Sequence, residues 1–300
     1  MAQDKIALVT GASGFTGRHL LDLLHSRGFR VVAMGNTCTD AADSVACDLT
    51  DRDAVRDAVQ RVQPTHVVHL AALSFVQHGD ARAFYDVNVF GTLHVLDALT
   101  KLAKVPTKVL VASSANVYGT PDVEVIDEGV CPAPVNHYAC SKLAMEHMVR
   151  NWFDKLPIIV TRPFNYTGPG QDERFLVPKI VGHYRRNARV IELGNLDVSR
   201  DFSDVRDVVQ VYAELLESDA RSCVVNVCSG TDISLREILR MMSDIAGYAI
   251  EVQVNPAFVR ANEIARLRGS QGLLRQIVSH VPSTPFASTL RAMYEDAHHG

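Results

Sequence analysis

"TGASGFTGRHL" (residues 10–20) places Gly11, Gly14 and Gly17 between an apolar run, "KIALVT" (5–10), and a leucine-rich segment. Glycines at such a turn let the backbone close tightly and approach a pyrophosphate. The helix that follows offers free N–H groups and the positive end of its dipole. The spacing is G-x-x-G-x-x-G, with strand, turn and helix in the order a dinucleotide site needs. A glycine-rich turn with a structural role only is the plainer alternative. "TGRHLLDLLHSRG" (16–28) puts Leu20, Leu21, Leu23 and Leu24 on or near one helical face, with Gly28 as its stop.

The same alternation continues outward. "FRVVAMG" (29–35), "HVVHLAA" (66–72), "KVLVASS" (108–114) and "LPIIVTRP" (156–163) read as strands. "DRDAVRDAVQRV" (51–62), "DARAFYDVNVFGTLHVLDALTKLA" (80–103) and a stretch from about 136 to 154 read as helices. Continuous apolar strands alternating with helices predict an α/β fold with a parallel sheet covered on both faces. After "RPFNYTGPG" the rhythm changes, and Pro163, Gly168, Pro169 and Gly170 mark a loop. A helix over 174–187, a strand over 223–230 and a helix over 234–247 follow less regularly. The expectation is a nucleotide-binding domain over 1–163 and a smaller lobe over 164–300, interwoven with it.

Composition narrows the function classes. Of 300 residues, 47% are hydrophobic, enough for a sizeable core, and 21% are charged. A formal net charge of −4 leaves no basic footprint for nucleic acid or an anionic membrane. No apolar stretch has transmembrane length, and the start "MAQDK" has no leader character. The six cysteines form no C-x-x-C pair and no zinc-like spacing with histidine, which suits reduced thiols in a cytoplasmic protein. The two histidines of "DAHHG" are too few and too terminal for a metal site, so none is expected.

Several residues bear on a cofactor. An acid usually closes the second strand to hold an adenosine 2′-OH, but this chain has Gly35 and Asn36 there. Arg18 suits a 2′-phosphate, or is simply a solvated helix residue. In "CDLTD" (47–51), Asp48 and Leu49 suit an adenine pocket, while an Asp or Thr of 48–51 equally suits a helix N-cap. Leu70, Ala71 and Ala72 leave room beside the turn, as small residues also do for packing. In "HYACSKLAMEH" (137–147), Tyr138 and Lys142 are four apart and stack on one helix face. Ser113 and Ser114 end a strand, where ligands of parallel sheets bind. An ammonium one turn from a phenol is expected to lower its pKa from near 10, fitting Tyr138 for proton transfer beside a hydride transfer, with Ser114 holding the reacting oxygen.

With these residues in place, the chain resembles the extended short-chain dehydrogenase/reductases, over nearly its whole length. "TGASGFTG", "HLAA", "NVFGT" (88–92), "SSANVYG" (113–119), "YACSK" (138–142), "RPFNYTGPGQ" (162–171) and "VSRDFSDVRDVV" (198–209) carry the likeness. Within that family it is most similar to GDP-6-deoxy-D-lyxo-4-hexulose reductases, also called GDP-4-keto-6-deoxy-D-mannose reductases, on "DVSRDFSDVRDV", "VNVCSG" and "ARLRGS" (265–270). The resemblance implies a Rossmann-type doubly wound sheet with a nucleotide-sugar lobe, NADPH or NADH as cofactor, a GDP-sugar substrate and a homodimer through helices 80–103 and 136–154. It implies catalytic roles for Ser114, Tyr138 and Lys142, and cofactor contacts from Gly11, Gly14, Phe15, Thr16, Gly17, Arg18, Asp48, Leu49, Leu70, Ala71 and Ala72. Asn165, Arg200 and Arg266 match positions that meet the substrate's phosphates, and Lys179 matches a basic position of related dehydratases. A salt bridge with Asp201 or Asp204 is the other reading of Arg200. The C-terminal stretch departs from the family in lacking a tryptophan-proline pair, and Cys140 between Tyr138 and Lys142 has no assigned role. The reaction expected is reduction of a GDP-4-keto-6-deoxyhexose to GDP-D-rhamnose. A 4-epimerase or 4,6-dehydratase on the same fold is the runner-up, and a non-catalytic NAD(P)-binding protein or dimerising scaffold the different-class rival.

Overall fold

A computed structural model describes residues 5–36, 43–74, 80–256 and 266–296. Seven strands form one parallel sheet in the order Cys223–Val227, Ile158–Pro163, Lys108–Ala112, His66–His69, Ile6–Thr10, Arg30–Gly35, Asp43–Ala46. The apolar runs explain this arrangement: Ala7 to Val9, Val67, Val68, Val109 to Val111 and Ile158 to Val160 are fully buried, so both sheet faces are covered. On one face lie Leu20, Leu21 and Leu24 of helix Phe15–Ser26 with Val208, Tyr212 and Leu215 of helix Val205–Glu217. On the other lie Val55 and Val59 of Arg52–Val62, Leu96 and Leu99 of Thr92–Thr100, and Met145 and Val149 of His137–Val149. Residues beyond 163 thus supply the sheet's last strand and one of its covering helices.

The chain lays its first three strands outward from Ile6–Thr10, then returns to the other side with His66–His69. That reversal opens a crevice at the carboxyl ends of these two strands, where doubly wound sheets bind ligands. A smaller sheet pairs Asp232–Ser234, Ser199–Asp204, Arg266–Gly269 and Val125–Ile126, with Asn165–Thr167 joined to Ser199–Asp204. Helices Leu176–Arg185, Leu235–Ala246 and Phe286–Glu295 pack around Ile180, Ile238, Met242 and Leu290 to complete the lobe.

Several expected elements differ. The strand "HVVHLAA" stops at His69 and "CVVNVCSG" at Val227, so their small residues become loop. The long helix over 80–103 is interrupted: Ala81–Tyr85 is α, Asp86–Gly91 is a π segment and Thr92–Thr100 is α again. The buried Asn88 side chain within the π segment bonds the Leu73 backbone in both directions, accepting from its N–H at 2.9 Å and donating to its C=O at 3.2 Å. Such π segments occur frequently at functional sites.

Candidate active site

The glycine turn is built for close approach. Gly11 has φ +70°, and a Cβ there would stand 2.7 Å from the Ala71 nitrogen, so the turn touches the loop after His69. A Cβ on Gly17 would sit 2.4 Å from the Gly11 carbonyl oxygen. Helix Phe15–Ser26 starts at Gly14 with no side-chain cap, leaving its first amides free for an anion. These residues fit a nicotinamide dinucleotide. Arg18 donates to the Gly170 carbonyl at 3.0 Å, His19 bonds the Pro169 carbonyl at 2.9 Å, and Thr16 Oγ1 lies 2.8 Å from the Tyr166 hydroxyl. The turn is therefore tied to the loop that follows Pro163. Asp48 accepts from the N–H and the hydroxyl of Thr50, while Asp51, not Asp48, caps helix Arg52–Val62. Leu49 is buried and its carbonyl accepts from His94 Nδ1 at 2.9 Å.

Ser114, Tyr138 and Lys142 are all buried at the carboxyl end of the sheet. Ser114 follows strand Lys108–Ala112, and its Oγ accepts from the Asn116 N–H at 3.2 Å. Helix His137–Val149 is capped by Asn136, whose side chain accepts from the Ala139 N–H. Lys142 Nζ donates to the Ala112 carbonyl at 2.7 Å, which joins that helix to the strand leading to Ser114. The Ser113 hydroxyl beside them is buried, with no hydrogen-bond partner among the described residues.

The electrostatics correct one expectation. Burial pushes Tyr138 up to about 12, with the Ser114 hydroxyl pulling the other way. Burial of the ring, not the charge of Lys142, sets this phenol. Burial likewise brings Lys142 down to about 8, and the Glu146 carboxylate opposes that fall. Glu146 sits one helical turn past Lys142 and forms a buried ion pair with Arg162 at 2.6 Å, the two side chains 2% and 5% exposed. The Arg162 guanidinium lies 4.8 Å from the Tyr118 ring centre, and the Tyr118 hydroxyl donates to Asn226 Oδ1 at 2.7 Å. Sequence reasoning missed this network. Its only signals were an acid four residues after Lys142 and an arginine inside a strand otherwise apolar but for Thr161.

Sheet parity sorts the residues expected to meet a substrate. Register pairs Phe202 with Asn165, Arg200 with Leu267 and Ser199 with Arg266. Asn165 and Arg200 therefore share one face, and Arg266 lies on the other. Arg266 is held there by both carboxylate oxygens of Asp232, at 2.9 and 3.0 Å. Asp204 pairs with Arg206 at 2.6 Å. Asp201 is fully buried and accepts from the amides of Ser229, Gly230 and Gly269. Its carboxylate is occupied with closing the lobe's loops. Lys179 Nζ donates to the Glu192 carbonyl at 2.9 Å.

A dinucleotide turn at the switch point, with a Ser–Tyr–Lys set beside it, defines the extended short-chain dehydrogenase/reductases. This chain belongs to that class and, within it, to the GDP-mannose 4,6 dehydratase family, whose model matches residues 8–293. It is an NAD(P)-dependent oxidoreductase. It is 35% identical to the GDP-6-deoxy-D-talose 4-dehydrogenase of Aggregatibacter actinomycetemcomitans over 96% of this chain and 97% of that one. It is 34% identical to the GDP-6-deoxy-D-mannose reductase of Pseudomonas aeruginosa over 96% and 95%. The structure of RMD from Pseudomonas aeruginosa complexed with NADPH superposes with a TM-score of 0.87 at 32% identity, over 98% of this chain and 97% of that one. Among the described residues no helix is long and apolar enough to cross a membrane.

Proposed function

We propose that this enzyme reduces the 4-keto group of GDP-4-keto-6-deoxy-D-mannose to give GDP-D-rhamnose, with NADPH favoured over NADH. The observation that carries the reading is the set of Ser114, Tyr138 and Lys142 beside the glycine turn, followed by Ala115 and Asn116. In related dehydratases an acid follows the catalytic hydroxyl and protonates the departing hydroxyl; neither Ala115 nor Asn116 supplies such a proton at neutral pH. In the fucose-forming epimerase-reductases a cysteine takes the place of Ala115.

The bound cofactor supplies the hydride. Ser114 Oγ holds the ketone oxygen, and Tyr138 delivers a proton to it as the alkoxide forms. A phenol held up at about 12 keeps its proton at neutral pH, which is the form a reduction starts from. Lys142, at about 8, is mostly cationic at pH 7 and stabilises the phenolate left behind. Gly11, Gly14, Phe15, Thr16 and Gly17 take the pyrophosphate, with Asp48, Leu49 and Leu70 to Ala72 around the adenosine and nicotinamide ends. Asn165 and Arg200 take the sugar-nucleotide phosphates from their shared face, and Lys179 is assigned to the same lobe. The exposed Phe90 and Met148, on the segments over 81–100 and 137–149, support a homodimer through those helices. A cytoplasmic location belongs to the same proposal.

The talose-named relative supports a second reading, in which reduction gives the C4 epimer, GDP-6-deoxy-D-talose. One assay decides. The enzyme is mixed with GDP-4-keto-6-deoxymannose and either cofactor, absorbance is followed and the product examined by NMR. One cofactor consumed per sugar is expected, with large couplings of H4 to H3 and H5 for the rhamno product and small ones for the talo product. NADPH should serve at least as well as NADH, and Arg18→Ala should narrow that preference. Dehydration of GDP-mannose, or interconversion of 4-hydroxy sugars with no net cofactor change, would overturn the reading.

A further inference from the structure

His69 is a buried titratable side chain that takes no part in the chemistry above. It ends the strand His66–His69, beside Thr10 in register. Its Nδ1 lies 2.8 Å from Thr10 Oγ1 and its Nε2 lies 2.9 Å from Thr92 Oγ1. The surrounding bonds fix where its proton sits. Thr92 Oγ1 gives its only hydrogen to the Asn88 carbonyl at 2.8 Å, so from His69 it can only accept. The proton is therefore on Nε2. Burial, and secondarily the Lys142 charge, hold the ring down to about 3, so Nδ1 is bare at neutral pH and accepts from Thr10. Thr10 Oγ1 accepts in turn from the Ala71 N–H at 3.2 Å. One orientation satisfies all these groups together.

The chain of bonds continues to the catalytic helix. Asn88 Nδ2 donates to Ser141 Oγ at 3.0 Å, and Ser141 Oγ donates to the carbonyl of Tyr138 at 2.7 Å. An unbroken path thus runs from the residue that opens the glycine turn, through a rigid ring and the π segment, to the backbone of Tyr138. We propose that His69 is a positioning residue: through Thr10 on one side and Thr92 on the other, it holds the cofactor's turn and the helix of the proton donor in one register. The physical reason is that a planar ring bonded at both ends fixes a distance, where apolar packing alone tolerates sliding. Fully satisfied buried polar chains specify one arrangement. Hydride and proton transfer both depend on such registry, since a misplacement of about 1 Å costs on the order of a hundredfold in rate.

The inference rests on the reading of Tyr138 as proton donor, so Tyr138→Phe is run alongside. The test uses Thr92→Val, which breaks the path without changing shape, Thr92→Ser, which restores the hydroxyl, and His69→Leu. Cofactor affinity is read by NADPH fluorescence. Turnover and KM are read with GDP-4-keto-6-deoxymannose, and hydride transfer by the primary isotope effect of 4-deuterated NADPH. Thr92→Val should bind NADPH within about threefold of wild type and keep its KM. It should lose about tenfold or more in kcat and show a larger isotope effect. Thr92→Ser should recover most of that loss, and His69→Leu should match Thr92→Val wherever it folds. Native kcat and isotope effect in Thr92→Val, or a loss that serine does not restore, overturns the inference. Native turnover by Tyr138→Phe sinks the donor assignment instead, a failure read in a different variant.

Discussion

Glu146→Gln tests the ion pair beneath Lys142. The substitution keeps the volume but turns one of the two oxygens that accept from Arg162 into an amide donor, and it removes the anion that faces both Lys142 and Arg162. Two consequences follow, with separate magnitudes. Arg162 is left as an uncompensated charge in a site where both side chains are at most 5% exposed. Breaking a buried pair in this way costs about 3–5 kcal/mol. At roughly 2–4 °C per kcal/mol for a chain of this order of size, the melting temperature should fall on the order of 10 °C. The second consequence is on pH. Burial lowers Lys142 and Glu146 opposes it, so without the carboxylate the lysine loses its proton at lower pH than its present value of about 8. Activity that needs the ammonium is present below that pKa and lost as pH rises through it, so the alkaline limb of kcat/KM should move to lower pH. The double variant Glu146→Leu with Arg162→Met separates the two effects. It strands no charge and should recover much of the stability, less the guanidinium contact with the Tyr118 ring, worth about 0.5–2 kcal/mol. Its alkaline limb should stay displaced, because Lys142 still lacks its anion. An alkaline limb unmoved in the single variant, or restored in the double, would show that Glu146 does not act on Lys142.

The substrate lobe and the glycine turn give two further expectations. Arg200→Ala should raise KM for the sugar nucleotide about tenfold to a hundredfold, the worth of a charge-assisted hydrogen bond, while Arg266→Ala on the opposite face should leave KM within about a factor of three by the same measure; equal effects in steady-state kinetics would refute the parity assignment. Gly17→Ala should abolish NADPH binding, since its Cβ would meet backbone atoms of Gly11 and Ala12 at 2.4–2.6 Å. Gly28→Ala, with φ +79° but open space around it, should cost about 1 kcal/mol of stability and leave cofactor affinity intact; calorimetry and NADPH titration check the pair, and comparable NADPH affinity in both variants would count against the close-packing account.

By itself, the sequence determined the parallel α/β sheet and the strand–turn–helix opening, and it singled out the candidate trio of Ser114, Tyr138 and Lys142. Those signals are local or periodic: apolar runs too continuous for a sheet with a wet face, glycines where backbone must close in, and a Tyr–Lys pair at helical spacing. Their placement at the carboxyl ends follows from the handedness and order of such sheets, so Ser114, Tyr138 and Lys142 were legible without coordinates. Tertiary structure alone decided what surrounds them. The Tyr138 pKa was expected to fall because Lys142 is one turn away in sequence, but desolvation is set by everything packed around the ring, and it raises the value to about 12. Arg200 and Arg266 look alike as basic residues of one lobe, yet strand register puts them on opposite faces, and register is a relation between distant segments. The partners of Arg162, Asp201 and His69 come from elements that share no local pattern: Glu146 on a helix, two loop amides with one from the end of strand Arg266–Gly269, and the threonines at positions 10 and 92. A buried polar group must find its partner wherever the fold brings one within 3 Å or so, and that choice is made by the packing of the whole chain.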